Sequence, residues 1–270
     1  MGWMTYWAWL GALSLVFVLL ERLWPRDTRQ GLLRAGLATD LFYLVFNGHW
    51  LGVLLAVLTE PLSRALDGAL ALHGMSLQLR VAADWPWALQ LIVAFVAIDF
   101  IQWSIHNLLH RVPALWELHK VHHSIRAMDF WGSLRFHFGE IVVYKSLQYV
   151  PLALLGFDHR ALFVIAIVST AIGHFNHANL RVRMGPLRYL LNGPEMHVWH
   201  HAHPSAGPQN VNFAINLAVW DWLFGTAYLP PEDAVPAKLG FDGIETFPTD
   251  PLRQELWPLR LSGSRAAAPR

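Results

Sequence analysis

The chain has 270 residues, of which 54% are hydrophobic and only 14% are charged, whereas ordinary soluble domains carry about 25% charged residues. This composition excludes a typical soluble domain and favours a helical membrane protein. The net charge of +1 and the absence of a basic run predict no nucleic-acid partner. Zero cysteines exclude disulfides, thiolate zinc sites and cysteine-ligated iron–sulfur clusters, so any metal must bind to histidine, carboxylates and water.

Three long apolar stretches predict transmembrane helices. Residues 3–20 carry no charge and are long enough to cross about 30 Å of hydrocarbon. We interpret them as a retained helix, because no basic residue precedes them and no signal-peptide cleavage site follows. Residues 37–58 predict a second helix, whose Asp40 and Asn47 share a face that we expect to point into the bundle. Residues 87–105 predict the third.

Two shorter apolar stretches follow at residues 141–156 and 161–172, and they predict either two short spans or one re-entrant hairpin. The predicted fold class is therefore all-α, a polytopic membrane helical bundle of about four to five spans with a histidine-rich cap. We expect N-terminal membrane helices in residues 1–86, a catalytic domain in residues 87–228 and a cytoplasmic tail in residues 229–270.

Arginine-rich connections predict the orientation of this multi-pass chain. They follow the first, third and fifth apolar stretches and include Arg26, Arg111 and Arg181. Because cytoplasmic loops carry the excess of lysine and arginine, this pattern predicts an extracellular amino terminus. It places the histidine clusters on the cytoplasmic side of the membrane.

Histidines cluster near the ends of the later apolar stretches. Residues three or four apart share one face of a helix, so the spacings H-x3-H and H-x2-H-H place imidazoles side by side. Ten of the 15 histidines fall into four such clusters: His106, His110, His119, His122, His123, His174, His177, His197, His200 and His201. Neutral imidazole is the commonest metal ligand among side chains, so we predict that these ten bind metal.

The number of histidines suits two adjacent metals, because one metal takes three or four protein ligands. Two such metals with open positions can reduce O2 and so attack an unactivated C–H bond. One alternative is a divalent-metal transporter, although transporter sites tend to lie near the bilayer midplane and these clusters lie at its edge. Another is a membrane b-type cytochrome, whose haem needs only two axial histidines. The isolated His49 is interpreted as hydrogen-bonded to a neighbour.

The combined pattern resembles the fatty acid hydroxylase/sterol desaturase superfamily of integral membrane non-haem di-iron enzymes. The similarity covers about residues 90–228 and continues through Arg135-Phe-His137 to Trp220-Asp-Trp-Leu-Phe-Gly-Thr226. It implies two iron ions (Fe2+/Fe3+), O2 as co-substrate, and a fatty acyl or sterol-like lipid that is taken from the bilayer and hydroxylated or desaturated. A separate electron-donor protein is also expected, because no segment is long enough for a fused haem domain.

Four further residues are candidates for the centre. Asp99, seven residues before His106, matches an acidic residue of the superfamily, and we expect it to hydrogen-bond a ligand histidine and fix its tautomer. His137 of the R-x-H motif is a candidate cofactor contact. Glu140 and Glu195 are candidate carboxylate ligands.

Overall fold

The computed structural model describes residues 3–76, 79–230 and 234–262. The secondary structure in these ranges is helical, with no strand, as predicted. Three described helices are long and apolar enough to cross a membrane, so the chain is an integral membrane protein. These spans are Tyr6–Leu23, Leu37–Ala71 and Trp87–Arg111.

The first two spans comprise three helical segments. Helix α1 is Trp3–Leu23, and helices α2 (Leu37–Val45) and α3 (Leu51–Ala71) are joined by a π-helical turn at Phe46–Trp50. The second span therefore continues past residue 58, where the apolar pattern ends. A helix keeps its backbone hydrogen bonds beyond the hydrocarbon, so a polar sequence can extend it into water.

Helices α4 and α5 carry the first two histidine clusters. Helix α4 is Trp87–Arg111 and helix α5 is Pro113–His123. Pro113 occupies the first turn of α5, where the missing N–H costs nothing, and its ring restricts Val112 to an extended backbone that ends α4. The chain turns here, and α5 packs back against α4.

The two shorter apolar stretches form helices α6 (Phe138–Leu154) and α7 (His159–His177). Both pack against α4, and α7 also contacts α1. Their 17 and 19 residues correspond to lengths of about 26 and 29 Å at 1.5 Å per residue. Neither is among the three candidate spans, so their arrangement as two spans or a re-entrant hairpin stays a prediction.

Three short helices complete the described chain: α8 (Pro194–His200), α9 (Val219–Phe224) and α10 (Pro251–Glu255). The segment that we expected to be a tail packs against the body of the protein. Its Phe241, Ile244 and Phe247 form a buried cluster with Tyr43 of α2 and Val121 of α5. Apolar burial of this kind therefore fixes the segment over α5. The domain boundaries after residues 86 and 228 stay predictions.

Candidate metal centre

Nine of the ten predicted histidines converge in two buried groups, within each of which the candidate ligand atoms all lie within 4.8 Å of one another. The first histidine group consists of His106, His110, His119, His123 and His200. The second histidine group consists of His122, His177, His197 and His201. Helices α4, α5, α7 and α8 supply eight of these side chains, and the ninth, His201, follows α8 directly, so elements far apart in sequence form one centre.

Within each group the imidazoles point their Nε2 atoms at one another. In the first group, the Nε2 atom of His123 lies 3.1 Å from those of His110 and His200. In the second group, the Nε2 atom of His177 lies 3.3 Å from those of His122 and His197. The two groups are neighbours, since the rings of His123 and His201 stack with centroids 4.4 Å apart.

Backbone carbonyls fix the opposite nitrogen of several rings. The Nδ1–H of His106 donates to the Phe213 carbonyl at 2.6 Å, and that of His200 donates to the Val211 carbonyl at 2.8 Å. The Nδ1–H of His177 donates to its own helix, at the carbonyl of residue 173. A carbonyl can only accept, so these rings carry the proton on Nδ1 and present a lone pair on Nε2.

This arrangement fits metal ions. Facing Nε2 lone pairs repel one another and cannot hydrogen-bond, so a buried cluster of them is costly without a cation. Two nitrogens that bind one metal at about 2.1 Å and at angles between about 90° and 110° are about 3.0–3.4 Å apart. The distances of 3.1–3.3 Å found here match this spacing.

Burial keeps these ligands neutral. Outside the three candidate spans, on α5, on α8 and at the residue after α8, desolvation lowers the pKa of six imidazoles well below the usual value, and neighbouring imidazoles lower it further. They are His119, His122, His123, His197, His200 and His201. Neutral imidazole is the form that binds metal, so the site is ready for a cation near neutral pH.

Glu140 acts on the centre through a histidine. Its Oε1 atom accepts from the Nδ1–H of His119 at 2.9 Å, and the carboxyl is completely buried. Glu140 is outside both histidine groups. Its contact is that of a residue which orients a ligand and fixes its tautomer.

Asp99 differs from the expectation, because it contacts no histidine. It accepts from the backbone N–H groups of Asn216 and Leu217 at 3.1 and 3.0 Å and from the indole of Trp220 at 2.8 Å. An acidic residue on α4 therefore fixes the segment that follows α8. The sequence spacing could not show this, because the partners lie more than a hundred residues away.

Asp221 holds the same segment as Asp99 does, and the sequence did not lead us to predict this role. Its carboxylate accepts from the N–H groups of Phe213 and Ala214 at 3.0 and 2.8 Å and from the indole of Trp103 at 3.0 Å. Because the Phe213 carbonyl receives the proton of His106, Asp221 positions that ligand indirectly. Asp221 is the acidic residue of the motif Trp220-Asp-Trp-Leu-Phe-Gly-Thr226, so the motif could have identified it.

A buried ion pair positions His122. The Nδ1–H of His122 donates to the Arg135 carbonyl at 3.1 Å, and the Arg135 guanidinium pairs with Asp40 of α2. Asn47 donates to the carbonyls of Leu134 and Phe136, both at 2.8 Å. The prediction that Asp40 and Asn47 face the bundle is confirmed, and their role is to hold this loop.

His174 is the predicted ligand that the structure does not bring to the centre. Its Nδ1 atom lies 2.7 Å from the Ser133 hydroxyl, and its ring packs against Phe17 and Phe130. His174 and His177 are three residues apart on α7, but the faces they present differ enough that only His177 reaches the second group. A three-residue spacing allows two side chains to converge and does not require it.

His137 also lies outside both groups. Its Nδ1 atom accepts from the N–H of residue 139 at 3.0 Å, which caps α6. Its Nε2–H donates to the Glu255 carbonyl at 2.9 Å. His137 therefore anchors the C-terminal segment to α6, and neither ring nitrogen is directed at the metal centre.

The last candidate, Glu195, and the isolated His49 also lie outside both groups. Glu195 accepts from the N–H of Met184 at 3.2 Å and lies 3.4 Å from the Arg188 guanidinium, so it is an ion-pair partner. His49 stacks on Trp7 with ring centroids 4.8 Å apart.

Comparison with known proteins identifies the family. The model of the family described as fatty acid hydroxylase matches residues 91–226, half of the chain. Ornithine lipid hydroxylase OlsE of Rhizobium tropici is 35% identical over 148 residues, which are 55% of this chain and 44% of that protein. No solved structure matches the chain.

Two further relatives have related names. Alkylglycerol monooxygenase of Xenopus tropicalis is 31% identical over 156 residues, 56% of this chain and 33% of that protein. A very-long-chain aldehyde decarbonylase of Oryza sativa subsp. japonica is 29% identical over 143 residues, 52% of this chain and 46% of that protein. The matches span less than half the length of each of these relatives. All nine grouped histidines lie within the matched residues 91–226, and the chain belongs to the fatty acid hydroxylase family.

Proposed function

We propose that this protein is a membrane-bound, O2-dependent oxidoreductase that hydroxylates or desaturates a lipid. One observation carries the proposal: a cavity leads from both histidine groups between α4, α6 and α7. It runs along α7 from His177 to Ala166 and along α4 from His106 to Ile98, which are lengths of about 16 and 12 Å at 1.5 Å per residue. An extended lipid chain fits such a passage.

The names of the relatives support the reaction class. They are described as a lipid hydroxylase, a monooxygenase and an aldehyde decarbonylase, so related chains act on lipids or long-chain aldehydes. For this chain we infer a fatty acyl or sterol-like substrate that enters from the bilayer. A separate electron-donor protein supplies the reducing equivalents.

The histidine groups would hold two iron ions, five imidazoles around one and four around the other. When bound, this iron pair would supply the redox chemistry that activates O2, which imidazole-bound iron performs and zinc does not. Glu140 and the carbonyls of Phe213, Val211 and Arg135 orient the ligand rings by accepting their Nδ1 protons.

The C-terminal segment covers one side of the centre. The N–H of residue 240 donates to the His201 carbonyl at 2.9 Å, and the N–H of His203 donates to the Lys238 carbonyl at 2.9 Å. Phe241 packs beside Trp116, whose ring also contacts His110 and His123. His110 still lines a cavity beside Trp116 and Phe241, so this side of the centre is only partly covered.

The alternatives receive no support from this geometry. A b-type haem must lie between two axial imidazoles, whereas Nε2 atoms only 3.1–3.3 Å apart leave no room for a porphyrin. A transporter needs a site on an ion path near the membrane midplane. Here the ligands come from the end of α4 and from α5, α7 and α8, which we place at the cytoplasmic face.

Lipid analysis of cells with and without the chain tests the proposal. Expression should produce a lipid that is heavier by one oxygen atom or lighter by two hydrogen atoms, and its formation should require O2. An optical spectrum of the purified protein should lack a haem Soret band. Unchanged lipids in cells that contain iron-loaded protein and a competent reductase system, or a stoichiometric Soret band, would refute the assignment.

A further inference from the structure

One face of α6 carries a row of polar side chains that begins at the metal centre and continues along the cavity wall. Glu140, Tyr144 and Gln148 follow one another at four-residue intervals, so they share one face of the helix, and all three are buried. Glu140 contacts the metal ligand His119, and Tyr144 and Gln148 line the cavity. Gln148 therefore lies about 12 Å along α6 from the end of the row nearest the metal centre.

Some polar groups of the cavity are satisfied by the protein itself. The hydroxyls of Tyr6 and Thr170 hydrogen-bond each other at 2.8 Å. The Ser169 hydroxyl lies 3.3 Å from the side-chain nitrogen of Asn216. These side chains already have hydrogen-bond partners within the protein, so they do not indicate a ligand.

Three other side chains of the cavity have no such partners. Among the described residues, the side-chain amides of Gln102 and Gln148 make no hydrogen bond, although Gln148 is only 4% exposed. The ammonium of Lys145 makes no ion pair there and lies 5.0 Å from the ring centroid of Tyr149. Gln148 is buried, so its unpartnered amide indicates a missing ligand in the cavity, whereas Gln102 is half-buried and Lys145 is exposed at the wall of the same cavity.

The surroundings of Lys145 indicate the charge of that ligand. On α6, Lys145 is flanked by the exposed apolar residues Val143 and Leu147. A lysine on an apolar surface usually extends towards water. Lys145 is itself exposed, and its ammonium lies over the ring of Tyr149 at the cavity wall, one turn further from the histidine-bearing end. An ammonium in apolar surroundings is normally paired, so a negatively charged group is the complementary ligand.

We propose that Gln102, Lys145 and Gln148 bind the anionic oxygens, carboxylate or phosphate, of an acyl lipid. Lys145 supplies the positive charge, and the two amides donate hydrogen bonds from α4 and α6. The part of the lipid next to the anionic group then lies between this site and the histidine groups, over about 6 Å along α4 from Gln102 to His106 and about 12 Å along α6. This site deepens the proposed function and rests on it only for what happens at the reacting end of the lipid.

Binding of three probes with the same saturated chain tests the proposal: hexadecanoate, hexadecyl phosphate and methyl hexadecanoate. The binding of each radiolabelled probe to the detergent-purified, iron-loaded full chain is measured at equilibrium. We expect at least one anionic probe to bind about tenfold more tightly than the neutral ester, because a charge-assisted hydrogen bond adds at least this factor. The tighter of the two anionic probes identifies the source as carboxylate or phosphate.

Variants locate this preference in the cavity. Lys145→Gln should remove the preference for the anionic probe, Lys145→Arg should retain it, and Gln148→Leu should weaken the binding of the anionic probe. Lys238→Gln is the matched control, because Lys238 is an exposed lysine paired with Glu245 outside the cavity. Equal affinity for all three probes would overturn the proposal, as would a preference that survives in folded Lys145→Gln protein.

The outcome is separable from that of the proposed function. If the probes bind with the expected preference and no lipid is oxidised in cells, the anion site stands and the reaction is wrong. If lipid is oxidised and Lys145→Gln keeps the probe preference, the reaction stands and the anion site is wrong.

Discussion

The Nε2 atoms of His106 and His119 lie 3.1 Å apart, and the Nδ1 atom of each ring faces an oxygen atom, the Phe213 carbonyl or the Glu140 carboxyl. Both rings therefore direct a lone pair at the same point. A cation at that point satisfies both lone pairs, and no rotation of either ring would do so without breaking its hydrogen bond to oxygen. The two imidazoles thus direct their lone pairs at one site that suits a cation.

Removal of the His122 imidazole should prevent the second histidine group from binding its metal. His122→Ala removes one of its four imidazoles, so we expect iron to fall from about two to about one per chain and lipid oxidation to be abolished. His159→Ala is the control, since that side chain is 81% exposed, and an exposed substitution usually changes stability by about 0.5 kcal/mol or less. Metal analysis and lipid product are measured for both variants. Full activity in His122→Ala would refute the site.

Alanine substitutions of His174 and His177 should differ in their effect on iron content, although both residues were predicted as ligands. His177→Ala should lower the iron content, because His177 belongs to the second group. His174→Ala should keep about two irons per chain and lower the melting temperature, because it loses the contact with Ser133 and the packing on Phe17. Losing a buried hydrogen bond in this way costs about 1–3 kcal/mol. Equal iron loss in the two variants would place His174 among the ligands.

Asp221→Asn should weaken metal binding without removing a ligand. The amide cannot accept at both oxygen positions, so the N–H groups of Phe213 and Ala214 lose part of their anchor and the Phe213 carbonyl shifts from His106. Changes of this kind typically cost about 10–100-fold in metal affinity. Asp242→Asn is the control, because that carboxylate is 83% exposed. Competition with a chelator compares the two variants, and identical affinities would show that Asp221 has no positioning role.

The contact between the C-terminal segment and α6 should weaken as pH rises. Burial raises the pKa of Glu255 from 4.5 to about 7. A carboxyl with a raised folded-state pKa contributes stability that is complete below the unfolded value of 4.5 and is lost as pH rises through 7. The facing His137, whose pKa is lowered by burial, stays neutral over this range.

Hydrogen exchange of residues 234–262 at pH 6 and pH 8, corrected for the intrinsic rate, measures this effect. Protection should be lower at pH 8 in the wild type. Glu255→Gln keeps an acceptor for the Phe138 N–H, which lies 3.0 Å from Glu255 Oε2, and removes the charge. Protection in this variant should not depend on pH. The same pH dependence in both proteins would exclude Glu255 as its cause.

Reporter fusions test the orientation. Fusions after Arg29, Gly74 and Gly185 should read cytoplasm, outside and cytoplasm, because the first two spans end at Leu23 and Ala71 and arginines follow the first. Gly185 follows α7, whose His177 must share a compartment with His122 on α5. A Gly185 fusion that reads outside would contradict the proposed orientation.

Much of this centre could be predicted from residue types and spacing. The ligands on α5 and α8 follow helical periodicity, so His119, His122 and His123 were predicted as a unit and lie together. The sequence did not predict contacts between residues that lie far apart along the chain. Asp99 and His137 bind partners more than a hundred residues away, and carbonyls such as that of Phe213 carry no signal in the sequence.

The C-terminal segment shows a second limit of sequence patterns. Proline and polar residues suggested a tail without regular structure, and its helices are indeed short. Its burial depends on a few aromatic residues, including Phe241 and Phe247, that match a surface formed by α2 and α5. Periodicity cannot detect such a match, because the contacts do not repeat along the chain.

Adjacent residues belong to opposite histidine groups: His122 and His123 on α5, and His200 and His201 at the end of α8. One ion in each group would therefore be held at a separation that the covalent spacing of neighbouring residues on two helices helps to set. Substituting manganese, cobalt or zinc for iron should leave that separation unchanged. Activity across such a series would then report the electronic properties of each element, because the scaffold would hold every pair at about the same distance.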